Sequence, residues 1–98
     1  MDNNHEIINN EKNLHFELTV AGGEPAYIEY RWYKGDLVLM HTFVPATLEG
    51  KGVASSLAHF ALAYAKEKKL HVVVYCPFVA SYLKKHPEYD YLVDKNYR

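Results

Sequence analysis

The chain has a single cysteine, Cys76, and no apolar run that approaches the roughly 18 residues of a membrane-spanning helix. A lone cysteine excludes an internal disulfide and is compatible with a reducing compartment. Residues 1–13 are polar and acidic, whereas a secretory signal has an apolar core. These absences predict a cytoplasmic protein that does not associate with a membrane.

Neither sign of charge is in excess. The chain has 11 Lys and Arg residues against 12 Asp and Glu residues, which gives a net charge of −1 and a pI of about 6.6. No global basic field therefore attracts nucleic acid. The six histidines, which show no metal-ligand spacing, are His5, His15, His41, His59, His71 and His86. We expect neither a nucleic-acid partner nor a bound metal.

The chain is rich in apolar and aromatic surface. Of its 98 residues, 49% are hydrophobic, and nine tyrosines and four phenylalanines add bulk. This composition and length predict one domain with one core. Residues 1–12, with four asparagines, are expected to form a flexible N-terminus. Residues 13–98 would then form the single domain, as a monomer or weak dimer.

The hydrophobic pattern predicts an α+β fold with a mixed sheet. An antiparallel meander is followed by a β-α-β crossover, which should be right-handed, and by a short C-terminal helix. The expected strands cover residues 14–20, 26–33, 37–44 and 70–75. The expected helices cover residues 51–69 and 77–85. The buried stripe of the long helix is expected to contain Val53, Leu57, Phe60, Ala61 and Tyr64.

The most informative segment, residues 43–55, joins an apolar strand to the long helix. Gly50, Gly52 and the small Ala54 precede or open the helix, where backbone N–H groups have no intrahelical partner. Such a junction favours a phosphate or pyrophosphate. The spacing matches neither a nucleoside-triphosphate P-loop nor a dinucleotide fingerprint. In a parallel crossover, Cys76 at the end of the next strand falls at the same sheet edge.

This loop and three further motifs carry a resemblance. Leu48-Glu-Gly-Lys-Gly-Val-Ala-Ser55 resembles the Gln/Arg-x-x-Gly-x-Gly/Ala acyl-CoA pyrophosphate loop of the GNAT superfamily of N-acetyltransferases, with Glu49 departing from the pattern. The wider chain is similar to a small single-domain GNAT-like family over residues 14–93. The motifs that carry this likeness are His41-Thr-Phe-Val-Pro45, Cys76-Pro-Phe-Val-Ala-Ser-Tyr82 and His86-Pro-Glu-Tyr89.

The resemblance implies that acetyl-CoA lies between the two parallel strands. Its pantetheine would pair with the backbone of Phe43 and Val44. From Val44 back to His41 is about 10 Å of strand, so the thioester could approach His41. The pyrophosphate would meet the residues of the loop, namely Glu49, Gly50, Lys51, Gly52, Val53, Ala54 and Ser55. Tyr82 and His86 would line the adenine or pantetheine end, or instead cap and pack the short helix.

Several roles remain open at this point. Cys76 is interpreted as the acetyl-accepting nucleophile, as a general acid for the departing thiolate, or as a small buried hydrophobe. His41 could act as a base, assist Cys76 if the two strands are adjacent, or be a core histidine. The predicted function is acetyl-CoA-dependent acetyl transfer to an unidentified amine on a small molecule or protein. The alternative is a non-catalytic CoA-binding module or a subunit completed by a partner.

Overall fold

A computed structural model describes residues 6–20 and 22–95 and forms a five-stranded mixed sheet. The strands are β1 (Ile7–Asn10), β2 (His15–Leu18), β3 (Ala26–Tyr33), β4 (Asp36–Phe43) and β5 (Val72–Val74). The α-helices are α1 (Val53–Lys68) and α2 (Pro77–Lys85), and single 3₁₀ segments cover Ala46–Leu48 and Pro87–Leu92.

The strands lie in the order β1-β2-β3-β4-β5. Neighbouring strands are antiparallel up to β4, and β4 and β5 are parallel because α1 crosses between them. The α+β architecture predicted from the sequence is confirmed. None of the helices among the described residues is long and apolar enough to span a membrane.

The N-terminal strand β1 corrects one expectation. Residues 7–10, predicted to be flexible, pair with β2 from Ile7 opposite Leu18 onward. Ile7 packs against the core, and the side-chain oxygen of Asn9 accepts a 2.6 Å hydrogen bond from the buried Tyr30 hydroxyl. These contacts offset the entropy lost when the segment is ordered. Residues 1–5 of the expected flexible terminus lie outside the described residues.

The helix α1 packs on one face of the sheet. Val53, Leu57 and Ala61 of the predicted stripe are buried, whereas Phe60 and Tyr64 are only partly buried and border Phe16. The stripe is wider than predicted. Its further buried members are Ala58, Leu62 and Ala65. Three alanines on this face bring the helix close to the sheet, so the large side chains of the sheet fill the core.

The helix α1 is shorter than the predicted span of residues 51–69. It begins after Gly52, whose φ of 76° is left-handed, and ends before Lys69, whose φ is 60°. The N–H of Leu70 then donates to the carbonyl of Ala65 at 2.8 Å. Left-handed residues close a helix because they turn the chain away while satisfying the last carbonyls.

A β-bulge in β4 sets which of its side chains face the helices. Glu29 pairs with His41 but Tyr30 pairs with Leu39, so Met40 is an extra residue on β4. Side chains otherwise alternate between faces with a period of two residues. Because of the extra residue, Thr42 joins Leu39 on the helix-covered face, and His41 moves to the other face.

The C-terminal segment is hydrogen-bonded to β5. Val93 forms a parallel bridge with Val72, and the N–H of Asp94 donates to the carbonyl of Val72 at 2.9 Å. A hydrogen bond with the Asp94 carboxyl, together with burial and the Asp94 charge, raises the pKa of Asp36. Leu92 is buried in the same core as α1.

The widened helix stripe gives a stability prediction. Leu62→Ala removes a side chain that is 0% exposed, so unfolding free energy should fall by about 2–5 kcal/mol in urea titration. Ser56→Ala, an exposed position of the same helix, should change it by less than about 0.5 kcal/mol. Equal effects of the two substitutions would show that the helix register is wrong.

Candidate active site

The candidate site begins where β4 and β5 separate. Leu37, Val38 and Leu39 pair with β5, and the N–H groups of Tyr75 and Cys76 both donate to the Leu39 carbonyl, at 2.9 and 3.1 Å. Beyond this point β4 continues through residues 40–43 without a paired strand on that side among the described residues. The edge of β4 is therefore open next to Cys76.

The glycine loop lies at the end of the same strand. Gly50 and Gly52 have φ of 78° and 76°, a backbone region that favours glycine. A Cβ at either position would meet no atom within 4 Å, so the space in front of the loop is open. Both positions therefore require glycine for backbone conformation rather than for internal packing.

The N-terminus of α1 faces this open space. Its first helical hydrogen bond runs from the N–H of Ser56 to the carbonyl of Gly52, at 3.0 Å. The N–H groups of Val53, Ala54 and Ser55 precede it and have no intrahelical acceptor. No side chain caps the helix and its first turn holds no acidic residue. The positive end of the helix dipole is thus available to an anion.

A cleft of about 260 Å³ opens over this N-terminus. Most of the residues predicted to bind the cofactor line this cleft, namely Val44, Glu49, Gly50, Gly52, Val53, Ala54 and Ser55. Leu48 and Phe78 complete the lining and were missed by the sequence reasoning. Phe78 directly follows the Cys76-Pro77 pair. Its position next to a predicted site residue could have indicated that it lines the cleft. Phe43 and Lys51, also predicted, do not line the cleft.

Tyr82 and His86, the other predicted cofactor residues, stack on each other on α2 at a centroid distance of 4.1 Å. Neither lines the cleft, although Tyr82 lies one helical turn beyond Phe78. Burial, with Tyr89 and Glu88, raises the pKa of Tyr82. The His86 ring lies 3.6 Å from the Glu88 carboxylate. In this structure the two side chains pack the end of the short helix.

Cys76 is buried two residues after the end of β5, with 1% of its surface exposed, and it directly precedes α2. Its Sγ lies 2.8 Å from Oγ1 of Thr42. Thr42 can reach it because the bulge turns that residue toward the helix-covered face. The hydroxyl of Thr42 was not singled out from the sequence, although it stands inside the His41-Thr-Phe-Val-Pro45 motif.

His41 does not partner Cys76, which corrects the expectation that the two could act together. It pairs in register with Glu29, and its side chain is exposed. Its ring lies 6.3 Å from the ring of Tyr27, and both rings are on the sheet face opposite Cys76. Strict alternation from buried Leu37 and Leu39 would have directed His41 inward. The extra residue Met40 reverses this orientation.

A larger cleft of about 420 Å³ lies on the far side of β5. It is lined by Val73, Val74, Ala80, Leu83, Lys84, Asp90, Val93 and Asp94. It contains neither the thiol nor the open helix N-terminus, so size does not make it the candidate active site. In the described part of the chain no group of three His, Cys, Asp or Glu side chains could hold a metal ion.

Comparison with known proteins agrees with this fold. A family profile described as "GCN5-related N-acetyl-transferase" matches residues 15–92. The chain belongs to this family. The resemblance seen in the sequence motifs is thereby confirmed, and acetyl-CoA is the cofactor typical of such proteins.

The curated relatives are more distant. Protein NATD1 of Gallus gallus is 28% identical over 89 residues, which cover 89% of this chain and 81% of that protein. The NATD1 proteins of Mus musculus and Homo sapiens are each 37% identical to this chain over 54 residues, which cover 55% of it. The match spans about half the length of these two mammalian proteins, 49% and 48%.

The contact between Thr42 and Cys76 can be tested with a thiol-modifying reagent. The thiolate is the reacting form, and the Thr42 hydroxyl can donate a hydrogen bond to it. Thr42→Val should therefore slow modification of the folded protein by roughly fivefold, the equivalent of about 1 kcal/mol. Thr42→Ser should retain the wild-type rate.

His41→Gln is the matched control, because His41 lies on the other face of the sheet. Its modification rate should equal that of the wild type. A slower rate in His41→Gln, with Thr42→Val unchanged, would contradict the side-chain orientations set by the bulge.

Proposed function

We propose that this protein transfers the acetyl group of acetyl-CoA to an amine. One observation carries the proposal: the uncapped N-terminus of α1, behind two left-handed glycines, opens beside an unpaired strand edge and a buried thiol. The helix N-terminus would suit a pyrophosphate, and the strand edge beside the thiol would suit a thioester. These groups stand at the two ends of one extended ligand.

The loop fits a pyrophosphate through its backbone. Three N–H groups at the start of α1 and the helix dipole would bind the phosphate oxygens, and Lys51 would add a flexible positive charge. Glu49, the departure from the superfamily pattern, is exposed. Its carboxylate can therefore turn away from the phosphates. The lining of Leu48, Val53 and Phe78 keeps the neighbouring surface apolar.

The edge of β4 fits the pantetheine arm. Amide groups of this arm would pair with the backbone of Phe43 and Val44 as an added strand does. Because β5 separates from β4 after Leu39, the arm would enter the gap between the strands. Its sulfur end would then lie near Cys76 and Thr42 on one face and near His41 on the other. Tyr82 and His86 would lie beside the adenine end only if the cofactor extends past Phe78.

The two candidate catalytic side chains would act from opposite faces. Cys76 contacts a neutral hydroxyl, and no described salt bridge or cation–aromatic contact includes it. Its thiol would donate a proton to the departing CoA sulfur as a general acid. His41 is exposed and would accept a proton from the incoming amine. The geometry favours these roles over a Cys–His pair that generates a nucleophile.

Cofactor binding can be tested by thermal denaturation. A ligand at 100 times its Kd that binds only the folded state adds about 2.7 kcal/mol. CoA and acetyl-CoA should therefore raise the melting temperature, whereas NAD and ATP should not. Gly52→Val should reduce this rise, because a branched side chain would occupy the phosphate site and strain the backbone.

Gly22→Val is the matched control for that substitution. Gly22 has a φ of 77° with open space around it, but it lies in the turn between β2 and β3. It should lower the melting temperature of the free protein yet leave the CoA-induced rise unchanged. An equal rise with ATP, or a full rise in Gly52→Val, would contradict the assignment of the loop.

The role of Cys76 can be tested by intact mass and by rate. A covalent acetyl intermediate would add roughly 42 Da to the protein after exposure to acetyl-CoA alone. We expect no such adduct, and we expect Cys76→Ala to lower the transfer rate by roughly 10²–10⁴ while CoA still binds. Ser81→Ala, an exposed change on α2, should retain full activity.

The other outcomes separate the alternatives. An adduct that disappears in Cys76→Ala would make Cys76 the nucleophile. If CoA binds but neither an adduct nor transfer to any amine is observed, the protein is a CoA-binding module or a subunit that needs a partner.

A further inference from the structure

The larger cleft beside β5, of about 420 Å³, shares no lining residue with the cleft over the N-terminus of α1. We call it the edge cleft. Its lining includes Val74 of β5, Ala80, Leu83 and Lys84 of α2, and Val93 of the C-terminal segment. A cleft of this volume, with apolar walls and a few charged groups, has the character of a ligand site. The backbone and the charges around it restrict which ligand fits.

The strand β5 is the last strand of the sheet, so its backbone has a second hydrogen-bonding side beyond β4. His71 accepts and Tyr75 donates a backbone hydrogen bond with β4, each at 2.9 Å. Successive residues of a strand bond to opposite neighbours, so the peptide groups of Val72 and Val74 point away from β4. The N–H of Asp94 donates to the carbonyl of Val72 from that second side, at 2.9 Å.

The peptide groups of Val74 are left unpaired on this side. The C-terminal segment covers the edge at Val72, where Val93 forms the bridge, and no described residue bonds to the N–H or carbonyl of Val74. Val74 lines the edge cleft and is half-buried, so a ligand in the cleft can reach these groups. Backbone polar groups that lie partly inside a protein need a hydrogen-bonding partner. An extended peptide supplies one by adding a strand.

The charge that the edge cleft offers to a ligand is positive. Lys84, in the last turn of α2, is exposed and forms no ion pair with another described residue. The two carboxyl groups of the lining are already engaged. That of Asp90 lies 3.0 Å from Nζ of Lys95, and that of Asp94 is hydrogen-bonded to Asp36. Charge complementarity therefore favours a ligand that brings a carboxylate to Lys84.

The open edge is short, and its length restricts the ligand further. Val72 is already bridged and β5 ends at Val74, so a ligand can pair with a single residue of the strand. An internal stretch of a peptide would have to approach and leave the edge within that one residue. The end of a chain approaches only once, and a C-terminal end carries a free carboxylate.

We infer that the edge cleft binds the apolar C-terminal end of a partner protein. The bound end would pair with the N–H and carbonyl of Val74 as an added strand. Its last side chain would pack between Leu83 and Val93, which are partly buried, and its terminal carboxylate would meet Lys84. This partner would contact neither the glycine loop nor Cys76, so the inference is independent of the acetyl transfer proposed above.

A tripeptide probe tests the backbone and carboxylate contacts separately. Acetyl-Val-Ser-Leu with a free C-terminal carboxylate is titrated into the protein while NMR follows the amide of Val74 and the methyl groups of Leu83 and Val93. These signals should shift and give a dissociation constant. The same peptide as its C-terminal amide should bind roughly fivefold more weakly, because it lacks the charge. The peptide with methylated serine and leucine nitrogens should also bind roughly fivefold more weakly, because it lacks the backbone donors.

Two pairs of neighbouring positions on α2 supply variants with matched controls. Lys84→Gln should weaken binding of the carboxylate peptide by roughly fivefold and leave the amide form unchanged. Lys85→Gln, exposed but outside the lining, should bind as the wild type does. Ala80→Leu should fill the edge cleft and abolish binding, whereas Ser81→Leu, exposed on the same helix, should retain it. Leucine is a good helix former, so both variants should fold.

Two further probes represent other ligands. Equal affinity for hexanoate would make the edge cleft a site for small carboxylates, and equal affinity for acetyl-Val-Glu-Leu amide would make it a site for acidic internal segments. Either result would overturn the inference, as would full binding in Ala80→Leu or in Lys84→Gln. Absence of shifts at millimolar peptide would overturn it as well. These titrations need no CoA, so failure of the protein to bind CoA would refute the proposed function and leave this inference standing.

Discussion

The extra residue in β4 is the constraint on which the candidate site depends. A strand whose pairing is offset by one residue exchanges the faces of every side chain that follows. Met40 therefore decides that Thr42, and not His41, contacts Cys76. It also places His41 and Phe43 beside Tyr27 on the sheet face opposite the helices. Without the bulge, both candidate catalytic side chains would lie on the helix-covered face.

The parallel crossover supplies the rest of the geometry. Joining β4 to β5 through α1 brings the N-terminus of α1, the end of β4 and Cys76 to one edge of the sheet. The short β5 stops at Val74 while β4 continues to Phe43. That difference in length leaves the backbone of β4 unpaired where a strand-like ligand can bind. A small fold thus presents helix dipole, strand edge and thiol together.

The sequence predicted the elements well and the side-chain directions less well. A short helix was predicted from Pro77 to about Lys85 because Pro77 suits a first helical turn, and α2 has those bounds. Ile7 to Asn10 was missed because two isoleucines among polar residues give no alternation over several residues. The bulge has no local sequence signal, since it follows from how β3 and β4 pair. Periodicity within one strand does not report pairing between strands.

Separation of His41 and Cys76 has a chemical consequence for the proposed transfer. A histidine in contact with a cysteine removes its proton and makes it a nucleophile. Two groups held on opposite faces do not exchange a proton directly, which suits one acid at the departing sulfur and one base at the attacking amine. In the proposed function the thioester would lie in the gap between β4 and β5, with the Cys76 thiol on one face of the sheet and the His41 ring on the other. The sheet itself then separates the two proton transfers, because neither side chain can reach the other around the backbone of β4.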